Sequence, residues 1–434
     1  MMKANKVVLI VLSILTLTFG VYASGEQEAG DQATEEVKEI SFQHIGGTMP
    51  AQEAVLERMV EDFEAQNPDA EVVIVNVGWG EAYSQFQNQV AVGQAPDIVM
   101  LAPQWSSEYT ALGAFVPIDE YVSEEVMDMF LESGFDSVRN EGHVYGLPWD
   151  GSIWGFFYRK DLFEEAGLDP EAPPKNWEEL VEYGKALTDG DQYGLAFPAA
   201  GWEPDDYFLP FLWQAGNEVV AQQNGAWKSQ FDQESAQVAA DYVYDLVHEH
   251  EIVPERITGM DWEATMNSFI AGDVAMIYDG MWVVNILKDN EDLSGKWATA
   301  LSPAGPGGRA VMGYPNILHV TQQSENPEVA AEFLEFVYTE TMESGLTYYE
   351  KYCVETGVLG WTQDFSEVEF AQDPIMKPFV EQVPDSKSRP LVSGYEQFRM
   401  LYFNPGIQSM ITGDVQPDEF TSTMHERLNQ LIGN

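Results

Sequence analysis

The stretch Glu39–Val77, EISFQHIGGTMPAQEAVLERMVEDFEAQNPDAEVVIVNV, decides the fold class. It predicts one strand over Glu39–Gln43 and a second over Val72–Val77, a nearly continuous apolar run that we expect to be buried. Between them, Pro50 can open a helix, apolar residues then repeat at helical spacing, and Pro68 ends the repeat. Strand, helix and strand in succession are typical of an α/β sheet with parallel strands.

The same alternation continues along the rest of the chain. Further strands are predicted at Asp97–Leu101 and Val274–Tyr278. Asn176 opens a helix with a capping-box-like sequence, and apolar stripes at helical spacing run through Val238–Val247 and Val329–Val337. The sequence therefore predicts the α/β class for most of its length.

Length and composition limit the possible functions. With 434 residues, the chain is too long for one ordinary domain, and 45% hydrophobic residues are enough for a sizeable core. The 72 acidic and 20 basic residues give a net charge of −52, which disfavours binding to nucleic acid or to an anionic membrane surface. The single cysteine, Cys353, excludes an intramolecular disulfide and a cysteine-rich metal site.

The acidity has two interpretations. Carboxylates keep a protein surface hydrated in a salty medium, where salt screens their mutual repulsion. A cationic ligand is the other interpretation. The carboxylates are scattered along the whole chain and are not clustered, so we favour adaptation to salt.

The N-terminus resembles an export signal. Lys3 and Lys6 precede the apolar run Val7–Leu17, and small residues follow. We interpret residues 1–25 as a signal peptide and residues 26–38 as a flexible acidic tether. No cysteine lies near the cleavage site, so we expect a periplasmic or extracellular protein that is secreted and not lipid-anchored.

Known catalytic signatures are not recognisable in the sequence. In the run Gly151–Gly155 the serine stands second, which does not match a nucleophile elbow. His248 and His250 are two residues apart on a predicted helix and point to different faces, so they do not form a paired metal site. A carboxylate pair for glycoside hydrolysis stays possible, because 72 acids offer many pairs.

The tryptophans point to a binding function. The chain has twelve, and several follow predicted strands beside carboxylates. These are Trp105, Trp149 with Asp150, Trp202 with Asp205, and Trp282 with Asp279. An aromatic plane covers the apolar face of a sugar ring, and carboxylate, amide or imidazole groups can bind its hydroxyls. His44, directly after the first strand, is a further candidate contact. Ligands of α/β sheets bind beyond the carboxyl ends of the strands, where we expect these residues to lie.

Five segments, taken in order, resemble a known family. They are APDIV at Ala95–Val99, VYGLPW at Val144–Trp149, FYRKDLFEEAGL at Phe157–Leu168, PPKNWEEL at Pro173–Leu180 and AMIYDGMW at Ala275–Trp282. Together they resemble the extracellular solute-binding proteins of bacterial ABC sugar importers, the maltose-binding-like family. The resemblance extends from about Glu39 to the C-terminus.

This resemblance implies a two-lobed periplasmic-binding-protein fold of type II, with a ligand cleft between lobes joined by a multi-segment hinge. The implied boundaries are residues 39–148 plus 314–340 for lobe 1, residues 149–313 plus 341–434 for lobe 2, and crossovers at Leu147–Phe156, Ala310–Pro315 and near Tyr338–Gly345.

The resemblance also implies a function and a set of contacts. The protein would capture a sugar or oligosaccharide and deliver it to permease subunits in the membrane, as a monomer without catalysis, metal or cofactor. The positions that match ligand contacts are His44, Gln104, Trp105, Trp149, Asp150, Trp202, Asp205, Trp282, Tyr314 and Tyr395, to which the residue pattern adds Asp279. A polyamine or peptide ligand and an exported carbohydrate-active enzyme are the alternatives.

The net charge predicts that stability depends on salt. Self-repulsion of a chain with charge −52 is large at low ionic strength, and the Debye length shortens from about 10 Å at 0.1 M to about 3 Å at 1 M salt. We expect the urea midpoint to rise as NaCl is added. A midpoint that is constant or falls with salt would contradict the adaptation to salt.

Overall fold

The computed structural model describes residues 37–46 and 50–432. The predicted signal peptide and residues 26–36 of the predicted tether lie outside the described residues. Within the described part of the chain, no helix has both the length and the apolar character needed to cross a membrane.

The strands and helices follow one another as the sequence pattern indicates. The strands are β1 Lys38–Ile45, β2 Ala70–Val77, β3 Ile98–Leu101, β4 Arg139–Asn140, β5 His143–Val144, β6 Leu147–Arg159, β7 Tyr193–Ala196, β8 Val220–Gln223, β9 Ala226–Ser229, β10 Val274–Gly280, β11 Trp297–Ala300, β12 Val311–Val320 and β13 Ser386–Lys387. The helices are α1 Pro50–Gln66, α2 Trp79–Val92, α3 Pro103–Ala111, α4 Glu124–Met129, α5 Lys160–Glu165, α6 Trp177–Leu187, α7 Pro204–Gln214, α8 Glu234–His248, α9 Trp262–Ala271, α10 Val283–Lys288, α11 Pro327–Thr339, α12 Tyr348–Thr356, α13 Glu369–Gln372, α14 Lys377–Gln382, α15 Tyr395–Phe398, α16 Asn404–Ile411 and α17 Pro417–Ile432.

Local signals place the helix boundaries. Helix α1 begins at Pro50, as predicted. Asn176 caps α6, because its side chain accepts a hydrogen bond from the backbone N–H of Glu179 at 2.9 Å. A capping box formed by Thr347 and Glu350 opens α12, which the sequence analysis did not anticipate.

One mixed sheet runs through the described residues. Its strand order is β2-β1-β3-β12-β6-β10-β7, with β11 beside β6 and β13 beside β12. Strands β1, β2 and β3 are mutually parallel and form the first half-sheet. Strands β7, β10 and β11 form the second half-sheet, in which β7 and β10 are parallel.

The two half-sheets are joined by the long strands β6 and β12. These strands pair antiparallel with each other. Strand β12 also pairs with β3, and β6 also pairs with β10 and β11. The predicted parallel order is therefore confirmed within the half-sheets, and it changes where the chain passes from one half-sheet to the other. Both strands lie at the predicted first and second crossovers and are buried along their whole length.

The prediction of a fully buried second strand was wrong. Val73 and Val75 of β2 are 38% and 41% exposed. Strand β2 is at the edge of the sheet, so one of its faces turns to solvent while the other packs on the core.

Contacts of α12 and α14 bear on where the chain passes between the half-sheets for the third time. Helix α12 packs against α1 and α11, which flank the first half-sheet. Beyond it, the backbone N–H of Gln363 still donates to the carbonyl of Met129. Helix α14 then packs against β6, with Phe379 close over Gly155. These contacts place the passage between Gln363 and α14, whereas the predicted passage is near Tyr338–Gly345.

Close packing of α6 on β7 requires glycine at position 194 of β7. A Cβ on Gly194 would lie 2.3 Å from the carbonyl oxygen of Gly184. We expect Gly194→Ala to lower the free energy of unfolding by about 1–3 kcal/mol in urea titrations, because helix and strand must separate. Gly259→Ala is the matched control, since its Cβ would meet no atom within 4 Å. Equal stability of both variants would show that the helix shifts without cost.

Candidate functional site

A cleft opens between the two half-sheets. It holds about 140 Å³ of space that the centre of a water molecule can reach. The described residues that line it are Ile45, Gly46, Gln52, Trp79, Met100, Asp150, Ser152, Trp154, Trp202, Glu203, Asp206, Tyr207, Trp262, Trp282, Tyr314, Asn316, Tyr352, Thr356 and Val358. One wall follows β1 and β3, the opposite wall comes from α7, α9 and the end of β10, and β6 and β12 form the floor.

Aromatic rings dominate the walls. Trp79 at the start of α2 and Trp202 before α7 stack across the cleft, with ring centroids 5.8 Å apart and an interplanar angle of 16°. Trp282 meets the edges of Trp154 and Trp262 nearly at right angles, at 5.1 and 6.4 Å. These rings offer flat apolar surfaces at several orientations.

Trp282 takes its position from the strand that precedes it. It stands two residues after the end of β10, at the N-cap position of α10. A Cβ on Gly280 would lie 1.9 Å from the Trp282 ring, so only glycine allows the ring to fold back over the strand. Gly280 is therefore needed for this close approach.

Polar groups converge on the floor of the cleft. Asn316 donates from Nδ2 to Asp150 Oδ1 at 2.6 Å, while its buried Oδ1 has no hydrogen-bond partner among the described residues. The hydroxyl of Tyr352 lies 2.8 Å from Nε2 of His44 and accepts from Nε2 of Gln52 at 3.1 Å. Burial lowers the pKa of His44 to about 4, so the imidazole is neutral at pH 7.

The three carboxyl groups that line the cleft, Asp150, Glu203 and Asp206, all have raised pKa values. Burial raises the pKa of Asp150 to about 6, against the hydrogen bond from Asn316. Burial, together with the negative charges of Asp206 and Asp279, raises the pKa of Glu203 to about 9. Glu203 is therefore protonated at pH 7 in the absence of a nearby positive charge.

A buried ion cluster supports the wall that carries Trp202. Asp205 accepts from Arg389 Nε at 2.6 Å and from Arg399 Nη1 at 3.0 Å, and Arg389 also pairs with Asp206. Burial opposes ionisation of Asp205, but the two guanidinium groups outweigh it and lower the pKa of this carboxyl. Arg399 also donates to the carbonyl of Trp202 at 2.7 Å, which fixes the loop that carries the ring.

Four predicted site residues line the cleft: Asp150, Trp202, Trp282 and Tyr314. The other seven lie in the layer behind it. His44 contacts the cleft residue Tyr352, Trp149 packs 4.4 Å from the Tyr352 ring, and Trp105 packs 6.1 Å from Trp79. The remaining four, Gln104, Asp205, Asp279 and Tyr395, are buried without lining the cleft.

Several cleft residues are not in the predicted set. Trp79, Trp154 and Trp262 line the cleft, although the sequence analysis took its candidate tryptophans only from positions that follow predicted strands beside carboxylates. Trp262 stands between Asp261 and Glu263 but follows no predicted strand. Glu203 and Asp206 line the cleft while Asp205 faces Arg389. Side chains of successive helical residues point about 100° apart. Without the orientation of the helix, the sequence therefore does not show which of two adjacent aspartates faces the cleft. Tyr352 comes from α12, in which the sequence analysis predicted no ligand contact.

The profile of the bacterial extracellular solute-binding proteins matches residues 46–343. The chain belongs to this family. Within the described residues, no group of three or more histidine, cysteine, aspartate or glutamate side chains is placed to hold a metal ion.

Two relatives illustrate the similarity of this solute-binding protein to others. A binding protein of Brucella abortus is 27% identical over 367 residues, which cover 83% of this chain and 86% of the relative. The lactose-binding protein of Rhizobium radiobacter is 24% identical over 319 residues, or 71% of each chain.

Solved structures share the fold. The GacH receptor of Streptomyces glaucescens, described unliganded and with acarbose, has a TM-score of 0.78, is 24% identical, and matches 92% of this chain and 99% of its own. Maltose-bound MalE3 of T. maritima has a TM-score of 0.80, is 22% identical, and matches 90% and 99%. These likenesses confirm the two-lobed α/β fold of the periplasmic-binding-protein type.

The pKa of Glu203 predicts a pH dependence of stability. In the unfolded chain this carboxyl ionises near pH 4.3, so between about pH 4.3 and pH 9 only the folded state binds the proton. The free energy of unfolding should therefore fall as pH rises. In Glu203→Gln, the free energy of unfolding should fall less steeply with pH. The slopes of the wild type and the variant should differ by up to about 1.4 kcal/mol per pH unit, measured by urea unfolding between about pH 6 and pH 8.5.

Asp150 and Asp206 titrate in the same range and are present in both proteins, so the difference between the two profiles reports Glu203 together with its charge interaction with Asp206. Parallel profiles for the wild type and Glu203→Gln would show that this carboxyl is ionised in the folded protein.

Proposed function

We propose that this protein is an exported substrate-binding component of an ABC importer, which captures a sugar or oligosaccharide and delivers it to membrane permease subunits. The observation that carries the proposal is the combination of aromatic planes and polar groups in one cleft between the half-sheets. The lactose-binding relative and the maltose-bound structural neighbour support the same ligand class.

The chemistry of the cleft suits a carbohydrate. Trp202 and Trp282 are partly exposed on the cleft walls, where their planes can cover the C–H face of a sugar ring. Asp150, Ser152 and Asn316 stand on β6 and β12 beneath these rings, within one groove that can bind hydroxyl groups. The carboxylate and the free amide oxygen accept hydrogen bonds from the hydroxyls, and the serine can donate one.

The division into lobes belongs to the same proposal. We assign β1, β2 and β3 with their helices to lobe 1, and β7, β10 and β11 to lobe 2, with β6 and β12 as hinge strands. The packing of α12 on α1 extends lobe 1 beyond the predicted residue 340. Rotation about β6 and β12 would close the lobes over the ligand, and the closed form would dock on the permease.

Export and adaptation to salt complete the proposal. The N-terminal sequence supports secretion by a signal peptide, and the net charge of −52 supports a salty environment. We propose that the protein acts as a monomer and does not bind nucleic acid.

The ligand should be released unchanged. The alternative of a carbohydrate-active enzyme is tested by analysing the sugar recovered after overnight incubation with the protein. Intact sugar agrees with transport, whereas shortened products would assign the cleft carboxyl groups to hydrolysis.

Trp282→Ala tests the proposed binding surface. Removing this ring should weaken binding of the best sugar from a thermal-shift screen by about 2–4 kcal/mol, or roughly 30- to 1000-fold. Stability should change little, because Trp282 is partly exposed. Affinity is measured by calorimetry and stability by urea unfolding on the same variant.

Trp227→Ala is the matched control, since Trp227 lies on the hairpin strand β9 and is 40% exposed outside the cleft. A much lower unfolding midpoint with unchanged affinity would make Trp282 a packing residue and would place the ligand elsewhere.

A further inference from the structure

Three buried carboxyl groups near the cleft have no cationic partner among the described residues. Asp150, Glu203 and Asp279 are 4%, 6% and 0% exposed, and none of them takes part in an ion pair of the described structure. Asp150 and Glu203 line the cleft itself. Buried carboxylates are normally paired with a cation. A buried carboxyl group without such a partner either stays protonated or ionises when a ligand brings a positive charge.

The neighbouring arginines do not supply that charge. Arg389 and Arg399 are shared among Asp205, Asp206 and Glu396, so three carboxyl groups already surround two guanidinium groups. No lysine, arginine or histidine is among the described residues that line the cleft. The cleft is therefore rich in acceptors and lacks a positive charge of its own.

A second observation points to a ligand with surplus donors. Asn316 Oδ1 is buried and has no hydrogen-bond partner in the part of the chain that the structure describes, although the residue lines the cleft beside Asp150. Trp202 and Trp262 flank Glu203, whose Oε2 accepts from the backbone N–H of Trp262 at 3.2 Å. Aromatic faces beside a carboxyl group are a favourable setting for an ammonium group, through cation–π attraction and charge-assisted hydrogen bonds.

We propose that the sugar bound in this cleft carries a protonated amino group, which pairs with Glu203 next to Trp202 and Trp262. This inference rests on the proposed function, because it names the class of sugar. A neutral sugar can occupy the same aromatic walls, but it leaves Glu203 without a counter-charge. An ammonium group supplies three donors and the missing charge, so Glu203 ionises when the ligand binds.

Ligand binding and the ionisation of Glu203 are coupled in this proposal, so binding should release a proton that can be measured. Glu203 is protonated in the empty cleft at pH 7, and an ammonium ligand should displace this proton to solvent. Calorimetric titration at pH 7 in phosphate and in Tris, whose ionisation enthalpies differ, then reports release of close to one proton per ligand. A neutral sugar should release none.

The experiment uses matched probes on the full mature chain. Glucosamine, galactosamine and the glucosamine disaccharide are compared with glucose, galactose, cellobiose and spermidine, first by thermal shift and then by calorimetry. At least one amino sugar should bind more tightly than its neutral counterpart. Glu203→Gln should weaken that amino sugar by at least about 30-fold, should change neutral sugars by less than about 3-fold, and should abolish the proton release.

Glu178→Gln is the control for net charge, because Glu178 is exposed on α6. The proton-release measurement needs only the wild-type protein, so it tests the proposal even if Glu203→Gln folds poorly. Tighter binding of the neutral sugars, failure of every amino sugar, or binding without proton release would overturn the proposal. Binding of spermidine but of no sugar would overturn the proposed function as well, whereas binding of neutral sugars alone would leave that function intact.

Discussion

The antiparallel pairing of β6 with β12 is the constraint on which the rest of the structure depends. The two strands pair with each other, and each also pairs with strands of a half-sheet, β12 with β3 and β6 with β10 and β11. Both half-sheets are therefore anchored to the same pair of strands. The cleft floor stands on these strands, so their pairing fixes the spacings of Asp150, Ser152, Tyr314 and Asn316.

The buried ion cluster holds one wall of the cleft in place, as the paired strands hold the floor. Arg389 and Arg399 come from the C-terminal part of the chain, and they bind the carboxylates of α7 and the backbone of the Trp202 loop. Arg399 also begins a π-helical turn, Arg399–Phe403, a distortion that often accompanies functional sites. Removing either arginine would leave buried carboxylates unpaired, which is far more costly than losing an exposed ion pair.

Sequence patterns predicted the fold well where the signal is local. The βαβ unit at the N-terminus, the cap at Asn176 and the glycine-terminated strand β10 depend on neighbouring residues, and the structure confirms them. The first two crossovers that the resemblance implies fall on β6 and β12, each of which is one continuous segment. The third passage is harder to predict from the sequence, because it depends on the packing of α12 against α1, two helices that are far apart in the sequence.

The candidate site was predicted less completely. Asp150, Trp202, Trp282 and Tyr314 lie on the cleft, but Trp149 directs its ring into the core next to Tyr352, and Asp205 faces the arginines while its neighbour Asp206 faces the cleft. Each of these outcomes depends on side-chain direction along a strand or helix, which a residue's type does not reveal. Trp79 begins a helix without an adjacent aspartate, and Trp262 has Asp261 beside it but follows no strand, so the pattern used for the other tryptophans does not detect them.

The stack of Trp79 on Trp202 has an optical consequence. One indole follows a strand of the first half-sheet and the other follows a strand of the second, and their ring centres are 5.8 Å apart. At this separation the electronic transitions of two indoles couple, and the coupling falls steeply with distance. The near-ultraviolet circular dichroism of the unlabelled protein therefore depends on the distance between the two half-sheets.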